Sequence, residues 1–137
     1  MTPRFGRVLT AMISPFTKDD ELDTEGAQTL AKWLVDQGNE GLVIAGTTGE
    51  SPTLTHEEQI DLIAAVVEAV DVPVIAGAGS NDTKAAVELT ERCTEAGASG
   101  ILTVTPYYNR PSQQGLMSHF SAVASSTNLP VMLYDIP

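Results

Sequence analysis

The chain has 137 residues, of which 42% are hydrophobic and 18% are charged. This balance is typical of a globular domain with a buried core and excludes an extended disordered chain. Eighteen acidic residues against seven basic ones give a formal net charge of −11. That charge argues against a nucleic-acid or anionic membrane partner, because such partners bind cationic surfaces, and it favours a small-molecule substrate.

The N-terminal residues and the single cysteine bear on the cellular compartment of the protein. No continuous apolar run of a signal peptide follows the first residues, and no apolar run is long enough to cross a bilayer. Cys93 lies among apolar residues on a helical pattern and has no partner for an internal disulfide. We expect a cytoplasmic protein in which Cys93 is a packing residue.

Short apolar, β-branched runs alternate with longer amphipathic stretches along the chain. The runs are almost continuously apolar, which predicts parallel strands that are covered on both faces. The predicted strands are residues 8–13, 41–45, 72–76, 100–104 and 130–134.

Four amphipathic stretches between these strands predict crossover helices. They begin after Asp23, at a capping box that opens with Thr55, after Asp82 and after Ser112. Gly38 and Gly97 end the first and third helices, because glycine adopts the left-handed conformation that closes a helix. The residues expected to face inward are Ala27, Leu30, Ala31, Leu34 and Val35, then Ile60, Ile63, Ala64 and Val67, then Ala86, Leu89, Cys93 and Ala96, and finally Leu116, Phe120, Val123 and Ala124. His119 is expected on the polar side of the fourth helix.

The strand centres recur at about thirty residues, which is the size of one βα unit. We therefore predict an α/β fold, namely a TIM (βα)8 barrel, of which this chain covers the first four βα units and strand five. A closed barrel of this type needs roughly 250 residues. Residues 1–137 are accordingly expected to be the N-terminal part of a single, incomplete barrel domain.

Polar segments follow the predicted strands, at the end of the barrel where active sites lie. They are residues 46–51 (GTTGES), 77–81 (GAGSN), 105–111 (TPYYNRP) and 134–137 (YDIP), and they are expected to converge on one mouth. All three tyrosines of the chain lie in these segments. The glycines and threonines of the first segment suit a carboxylate ligand, or equally a β-turn stabilised by threonine hydroxyls.

Two other kinds of site are weakly supported. Gly77 and Gly79 follow a strand and open a helix, but Asp82 stands where a dinucleotide fingerprint requires its third glycine. Neither His56 nor His119 has a metal-ligand partner four residues on, so no metal site is expected.

Three segments resemble the dihydrodipicolinate synthases, which are members of the class I pyruvate aldolase superfamily. They are GTTGES at 46–51, TVTPYYNRPSQ at 103–113 and LYDIP at 133–137, and the resemblance covers the whole chain in order. It implies condensation of pyruvate with L-aspartate 4-semialdehyde through a lysine Schiff base, giving 4-hydroxy-tetrahydrodipicolinate on the route to diaminopimelate and lysine. The first segment is also shared with N-acetylneuraminate lyases and 2-keto-3-deoxy sugar acid aldolases. Such a sister aldolase, or a non-catalytic barrel fragment, is the alternative.

The resemblance also implies roles for individual residues. Tyr134, Thr47 and Tyr108 would form a proton relay, in which Tyr108 serves the site of a neighbouring subunit. Thr48 would bind the pyruvate carboxylate. No metal or organic cofactor is implied, and the assembly would be a homotetramer built as a dimer of dimers.

Four further residues match a regulatory lysine site of the family, namely Ser51, His56, Asn81 and Tyr107. Gln59 and Ala85 depart from that site, and the second change removes a carboxylate that would bind the ligand's ammonium group. Strong lysine feedback is therefore not expected. The lysine that forms the imine is expected on the sixth strand, beyond Pro137, so the 137-residue chain alone is expected to be inactive.

Overall fold

Five parallel strands and four α-helices alternate along the chain in the computed structural model, which describes residues 4–136. The strands are β1 (Leu9–Ala11), β2 (Gly41–Ile44), β3 (Val74–Gly77), β4 (Gly100–Val104) and β5 (Val131–Tyr134). The helices are α1 (Thr24–Asp36), α2 (His56–Ala69), α3 (Thr83–Glu95) and α4 (Gln113–Ser125), and a 3-10 turn (Ser51–Thr53) precedes α2. Pro137, the last residue of the YDIP segment, lies outside the described residues.

The sheet has the strand order β1-β2-β3-β4-β5, and every neighbouring pair is parallel. Each strand therefore pairs with the next one along the chain, and one α-helix makes each of the four crossovers from β1 to β5. This arrangement is that of the first four βα units and the fifth strand of a (βα)8 barrel. The predicted fold class is confirmed.

The strands are shorter than predicted at some ends. Val8 and Ile13 lie outside β1 and are 54% and 55% exposed. Ala45 lies beyond the end of β2, with a left-handed φ of 55° that a strand cannot accommodate. β3 begins at Val74, after Pro73, which has no backbone N–H to donate to a ladder.

The predicted helix ends are confirmed by their capping contacts. The Asp23 side chain accepts a hydrogen bond from the Gly26 N–H at 2.8 Å, and Thr55 forms the capping box with Glu58. Asp82 and Ser112 cap α3 and α4 in the same way. Gly38 has a φ of 96°, the left-handed conformation expected just after a helix.

The inward faces of α1 and α3 agree well with prediction, whereas that of α2 is displaced by about one position. The buried residues of α2 are Gln59, Leu62, Ile63 and Val66. Ala64 is exposed, and Ile60 and Val67 are only half-buried. The sequence pattern is ambiguous here because α2 packs against both α1 and β3 and so carries apolar residues around much of its circumference.

His119 on α4 is buried, with 3% of its surface exposed, so its expected position on a polar face is wrong. Its Nδ1 atom lies 2.9 Å from the hydroxyl of Thr83, the first residue of α3. That partner makes burial of one ring nitrogen possible, while Nε2 has no hydrogen-bond partner within residues 4–136. Burial lowers the pKa of His119. Ala124, also expected inside, is exposed.

Cys93 packs in the core with no exposed surface, as predicted. Burial raises the pKa of its thiol to about 12, which keeps it protonated and unreactive. No helix among residues 4–136 combines the length and apolar character needed to span a membrane.

Candidate active site

A cavity of about 530 Å³ opens at the C-terminal ends of β2 to β5. Residues from all four polar segments line it, so the prediction that these segments converge is confirmed. Among the residues that the resemblance assigns to a catalytic, binding or regulatory role, the lining contains Thr47, Ser51, His56, Tyr107 and Tyr134. Leu54, Leu89, Leu102 and Val104 add apolar walls.

The ends of β2 and β3 approach each other closely beneath the cavity. A Cβ atom at Gly77 would lie 2.2 Å from the Ala45 carbonyl oxygen, so only glycine fits at this point. This close contact places the residues that follow β2 and those that follow β3 at the same opening of the cavity.

Residues 46–51, the threonine loop, begin directly after the left-handed Ala45 and include the left-handed Glu50, with φ values of 55° and 53°. The buried Ser14 hydroxyl donates to the Gly49 carbonyl oxygen at 2.6 Å and attaches the loop to the segment after β1. Thr47 and Thr48 are both exposed on this loop. Only Thr47 lines the cavity; the side of the loop that carries Thr48 does not.

Tyr134, the last residue of β5, is half-buried and lines the cavity. Its carbonyl oxygen accepts from the Thr105 N–H at 2.8 Å and from the Thr105 hydroxyl at 3.2 Å. These two bonds join the ends of β4 and β5, so the phenol of Tyr134 projects from a fixed backbone position.

Residues 105–111, the tyrosine loop, carry two adjacent tyrosines that differ in environment. Tyr107 is 52% exposed and lines the cavity, whereas Tyr108 is 93% exposed and does not. Tyr108 and Arg110 have φ values of 71° and 43°, a conformation that costs a non-glycine residue about 1–3 kcal/mol. Backbone strain of this kind persists only where the surrounding structure maintains it, and strained residues are concentrated at functional sites.

The three residues of the expected proton relay are not connected within one chain. No hydrogen bond joins the hydroxyl groups of Thr47, Tyr108 and Tyr134 in the part of the chain that the structure describes. Thr47 and Tyr134 share the cavity, and Tyr108 points away from it into solvent.

The four residues matched to a regulatory lysine site do not all line the cavity. Ser51, His56 and Tyr107 line the cavity, and Asn81 does not. The Asn81 carbonyl oxygen instead accepts a hydrogen bond from the side chain of Asn109, at 3.1 Å, on the tyrosine loop.

Gln59, named above only as a departure from the regulatory site, lines the cavity and lies on the buried face of α2, where it was not expected. It is only 5% exposed, its Nε2 donates to the Ser51 carbonyl oxygen at 2.8 Å, and its Oε1 has no partner within residues 4–136. The spacing in the sequence could have predicted its burial. The i, i+3, i+4, i+7 pattern of a single helical face is followed by Gln59, Leu62, Ile63 and Val66.

None of the three lysines among the described residues lines the cavity. Lys18, Lys32 and Lys84 are all exposed. No group of three or more His, Cys, Asp or Glu side chains within residues 4–136 could hold a metal ion.

The fold and the cavity together define a barrel protein of the (βα) class, with a polar site at the C-terminal ends of its strands, where this fold carries its active sites. Residues 4–137 match the Dihydrodipicolinate synthetase family. The chain belongs to that family, which confirms the resemblance seen in the sequence motifs.

The 4-hydroxy-tetrahydrodipicolinate synthase of Acidothermus cellulolyticus is 59% identical over 135 residues, which cover 97% of this chain and 44% of the relative. The crystal structure of dihydrodipicolinate synthase DapA-2 from Bacillus anthracis matches with a TM-score of 0.95 at 50% identity, over 100% of this chain and 47% of that one. The Acinetobacter baumannii synthase complexed with pyruvate matches with a TM-score of 0.91 at 39% identity, over 95% and 45% of the two chains. The chain thus spans a little under half the length of these relatives.

Proposed function

We propose that this chain is part of a 4-hydroxy-tetrahydrodipicolinate synthase, a lyase that condenses pyruvate with L-aspartate 4-semialdehyde through a lysine Schiff base. The observation that carries the proposal is the 59% identity to a synthase along nearly the whole chain. The tyrosine pair, which is more particular to the synthases than the threonine loop is, favours this activity over cleavage of sialic acid or a keto-deoxy sugar acid.

The cavity supports this chemistry through two hydroxyl groups. Imine formation and aldol addition each require a proton to move to or from the substrate, and a phenol can supply it when it is partly desolvated and held in position. Tyr134 meets both conditions, since it is half-buried and its backbone is bonded to Thr105. Thr47 lines the same cavity and is proposed to link Tyr134 to a second phenol.

Tyr108 is proposed to be that second phenol, contributed by another subunit. Its 93% exposure and strained backbone leave it unable to act inside its own cavity but available to a second copy of the chain. A homotetramer built as a dimer of dimers would bring the exposed tyrosine of one subunit to the cavity of its neighbour.

Thr48 is exposed and is not among the residues that line the cavity within residues 4–136. It is proposed, on the resemblance of its motif, to bind the pyruvate carboxylate through its hydroxyl and the N–H groups of the threonine loop. The loop is suited to this role because the Ser14 hydroxyl attaches it, at the Gly49 carbonyl oxygen, to the segment after β1. No metal or organic cofactor is needed, since the protonated imine itself withdraws electrons from the substrate.

The imine lysine is proposed to lie outside the residues described. Lys18, Lys32 and Lys84 are exposed, whereas an imine-forming amine must lose its proton near neutral pH, which desolvation promotes. The 137-residue chain alone is accordingly proposed to be inactive, and the complete enzyme to work in the cytoplasm.

Lysine feedback is proposed to be weak. Ser51, His56 and Tyr107 line the cavity, but Gln59 offers an uncharged amide oxygen there and Ala85 supplies no carboxylate for an ammonium group. A neutral acceptor binds an ammonium ion less strongly than a carboxylate does.

The decisive experiment assays the complete protein with pyruvate and L-aspartate 4-semialdehyde, and in parallel with N-acetylneuraminate and 2-keto-3-deoxy sugar acids. We expect turnover with the first pair only. Borohydride reduction in the presence of pyruvate, followed by peptide mass spectrometry, should place the pyruvyl adduct on a lysine other than Lys18, Lys32 and Lys84. Cleavage of a sugar acid without condensation, or an adduct on one of those three lysines, would contradict the proposal.

A further inference from the structure

Asn109 lies between the two left-handed residues of the tyrosine loop, Tyr108 and Arg110. Non-glycine residues hold this conformation only where neighbouring contacts fix it. Asn109 makes two such contacts. Its backbone N–H donates to the Tyr107 carbonyl oxygen at 2.9 Å, and its side-chain Nδ2 donates to the Asn81 carbonyl oxygen at 3.1 Å.

The side-chain contact is the one hydrogen bond, within the described residues, that joins residues 106–111 to a different loop. Its acceptor lies in a well-anchored segment. Asn81 directly precedes Asp82, which caps α3 by accepting from the Lys84 N–H at 2.9 Å. The next residue, Thr83, contacts the buried His119 of α4. The tyrosine loop is therefore attached, through Asn109, to a point that two helices hold in place.

We propose that Asn109 is a positioning residue for the tyrosine pair. Its amide joins the loop between β4 and α4 to the loop between β3 and α3, and so sets the direction of the Tyr108 phenol and the place of Tyr107 in the cavity wall. The inference rests on the proposed function, because that function assigns Tyr108 a part in proton transfer.

The substitution Asn109→Asp tests this role in the complete enzyme. Aspartate has the shape of asparagine but lacks the N–H donor, and its carboxylate would face the Asn81 carbonyl oxygen. Asn128→Asp is the matched control, since it makes the same chemical change at an exposed residue in the connection between α4 and β5. Asn109→Ala removes the contact without adding charge.

We expect both Asn109 variants to lower kcat by about tenfold to a hundredfold, the scale of a small misplacement of a reacting group. The KM for pyruvate and the final yield of the borohydride-trapped adduct should stay near those of Asn128→Asp, and so should the melting temperature. In a Tyr108→Phe background, Asn109→Asp should cause no further loss of kcat, because the two changes disable the same phenol.

Three results would overturn the inference while leaving the proposed function intact. They are wild-type kcat in both Asn109 variants, an undiminished effect of Asn109→Asp in the Tyr108→Phe background, and loss of adduct formation together with a lowered melting temperature. Wild-type turnover in Tyr108→Phe alone is a different outcome. It would remove Tyr108 from the proposed relay, and the role of Asn109 with it.

Discussion

The hydroxyl of Ser14, after β1, donates to the carbonyl oxygen of Gly49, in the threonine loop, at 2.6 Å, and both residues are buried. The bond connects two segments distant in sequence and holds the loop that carries Thr47 and Thr48. A buried carbonyl that loses its only donor costs about 1–3 kcal/mol.

Ser14→Ala should therefore lower the free energy of unfolding by about 1–3 kcal/mol and raise the KM for pyruvate. Urea unfolding and steady-state kinetics of the complete protein measure the two effects. Ser118→Ala is the control, since its hydroxyl donates to a helical carbonyl oxygen on the exposed surface of α4. Equal stability of the two variants would show that the bond to Gly49 contributes nothing.

Thr48→Val should weaken pyruvate binding by about 1.5–3 kcal/mol, because it removes a hydroxyl donor to a carboxylate at nearly constant volume. The pyruvate KM and the concentration dependence of borohydride trapping report this change. Thr53→Val is a suitable control, because the Thr53 hydroxyl already donates to the Glu50 carbonyl oxygen at 2.9 Å. An unchanged KM in folded Thr48→Val would exclude Thr48 from carboxylate binding.

Tyr134→Phe retains the ring that lines the cavity and deletes only the hydroxyl. If the phenol transfers protons, kcat should fall by about two to four orders of magnitude with little change in stability. Stopped assays at saturating substrates, with circular dichroism as the check on folding, make the measurement. Near-normal turnover would remove Tyr134 from the mechanism.

Tyr108→Phe should also lower kcat, and it should be complemented in trans. Mixing this variant with Tyr134→Phe under conditions that exchange subunits should restore part of the activity. In a hybrid dimer, one cavity then has its own Tyr134 and receives Tyr108 from the other subunit. No recovery, despite demonstrated exchange, would mean that Tyr108 does not act across an interface.

His119 should make the stability of the protein depend on pH. Burial lowers its pKa from the ordinary value of 6.5, so the folded state favours the neutral ring. Its contribution to stability is fully present above pH 6.5 and is lost as the pH falls through the lower folded-state pKa.

Urea unfolding between about pH 4.5 and 8.5, roughly two units below and above the ordinary pKa, should show this loss in the wild type. The slope should be reduced in His119→Gln. Val123→Ala, on the same helix, should lower the whole curve in parallel, because it removes buried apolar surface without touching a titratable group. Identical slopes for wild type and His119→Gln would contradict the prediction.

The local sequence determines most of the architecture of this chain. The caps at Asp23 and Thr55, and the left-handed Gly38, depend on residues within one helical turn, so their signals are readable without knowledge of the fold. The apolar runs identify all five strands. The three inner strands β2, β3 and β4 are mainly buried, as expected for strands covered on both faces, whereas β1 and β5 at the edges of the sheet are more exposed. The repeat of these units predicts the barrel class.

The tertiary structure decides which residues share the cavity and which side chains are buried. Gln59 and His119 are polar, yet packing between elements buries both, and their hydrogen-bond partners Ser51 and Thr83 lie on other segments. Adjacent Tyr107 and Tyr108 have similar local sequence, but the left-handed backbone at Tyr108 turns only one of them to the cavity. These outcomes depend on contacts between residues far apart in the chain, and neither propensity nor periodicity contains that information.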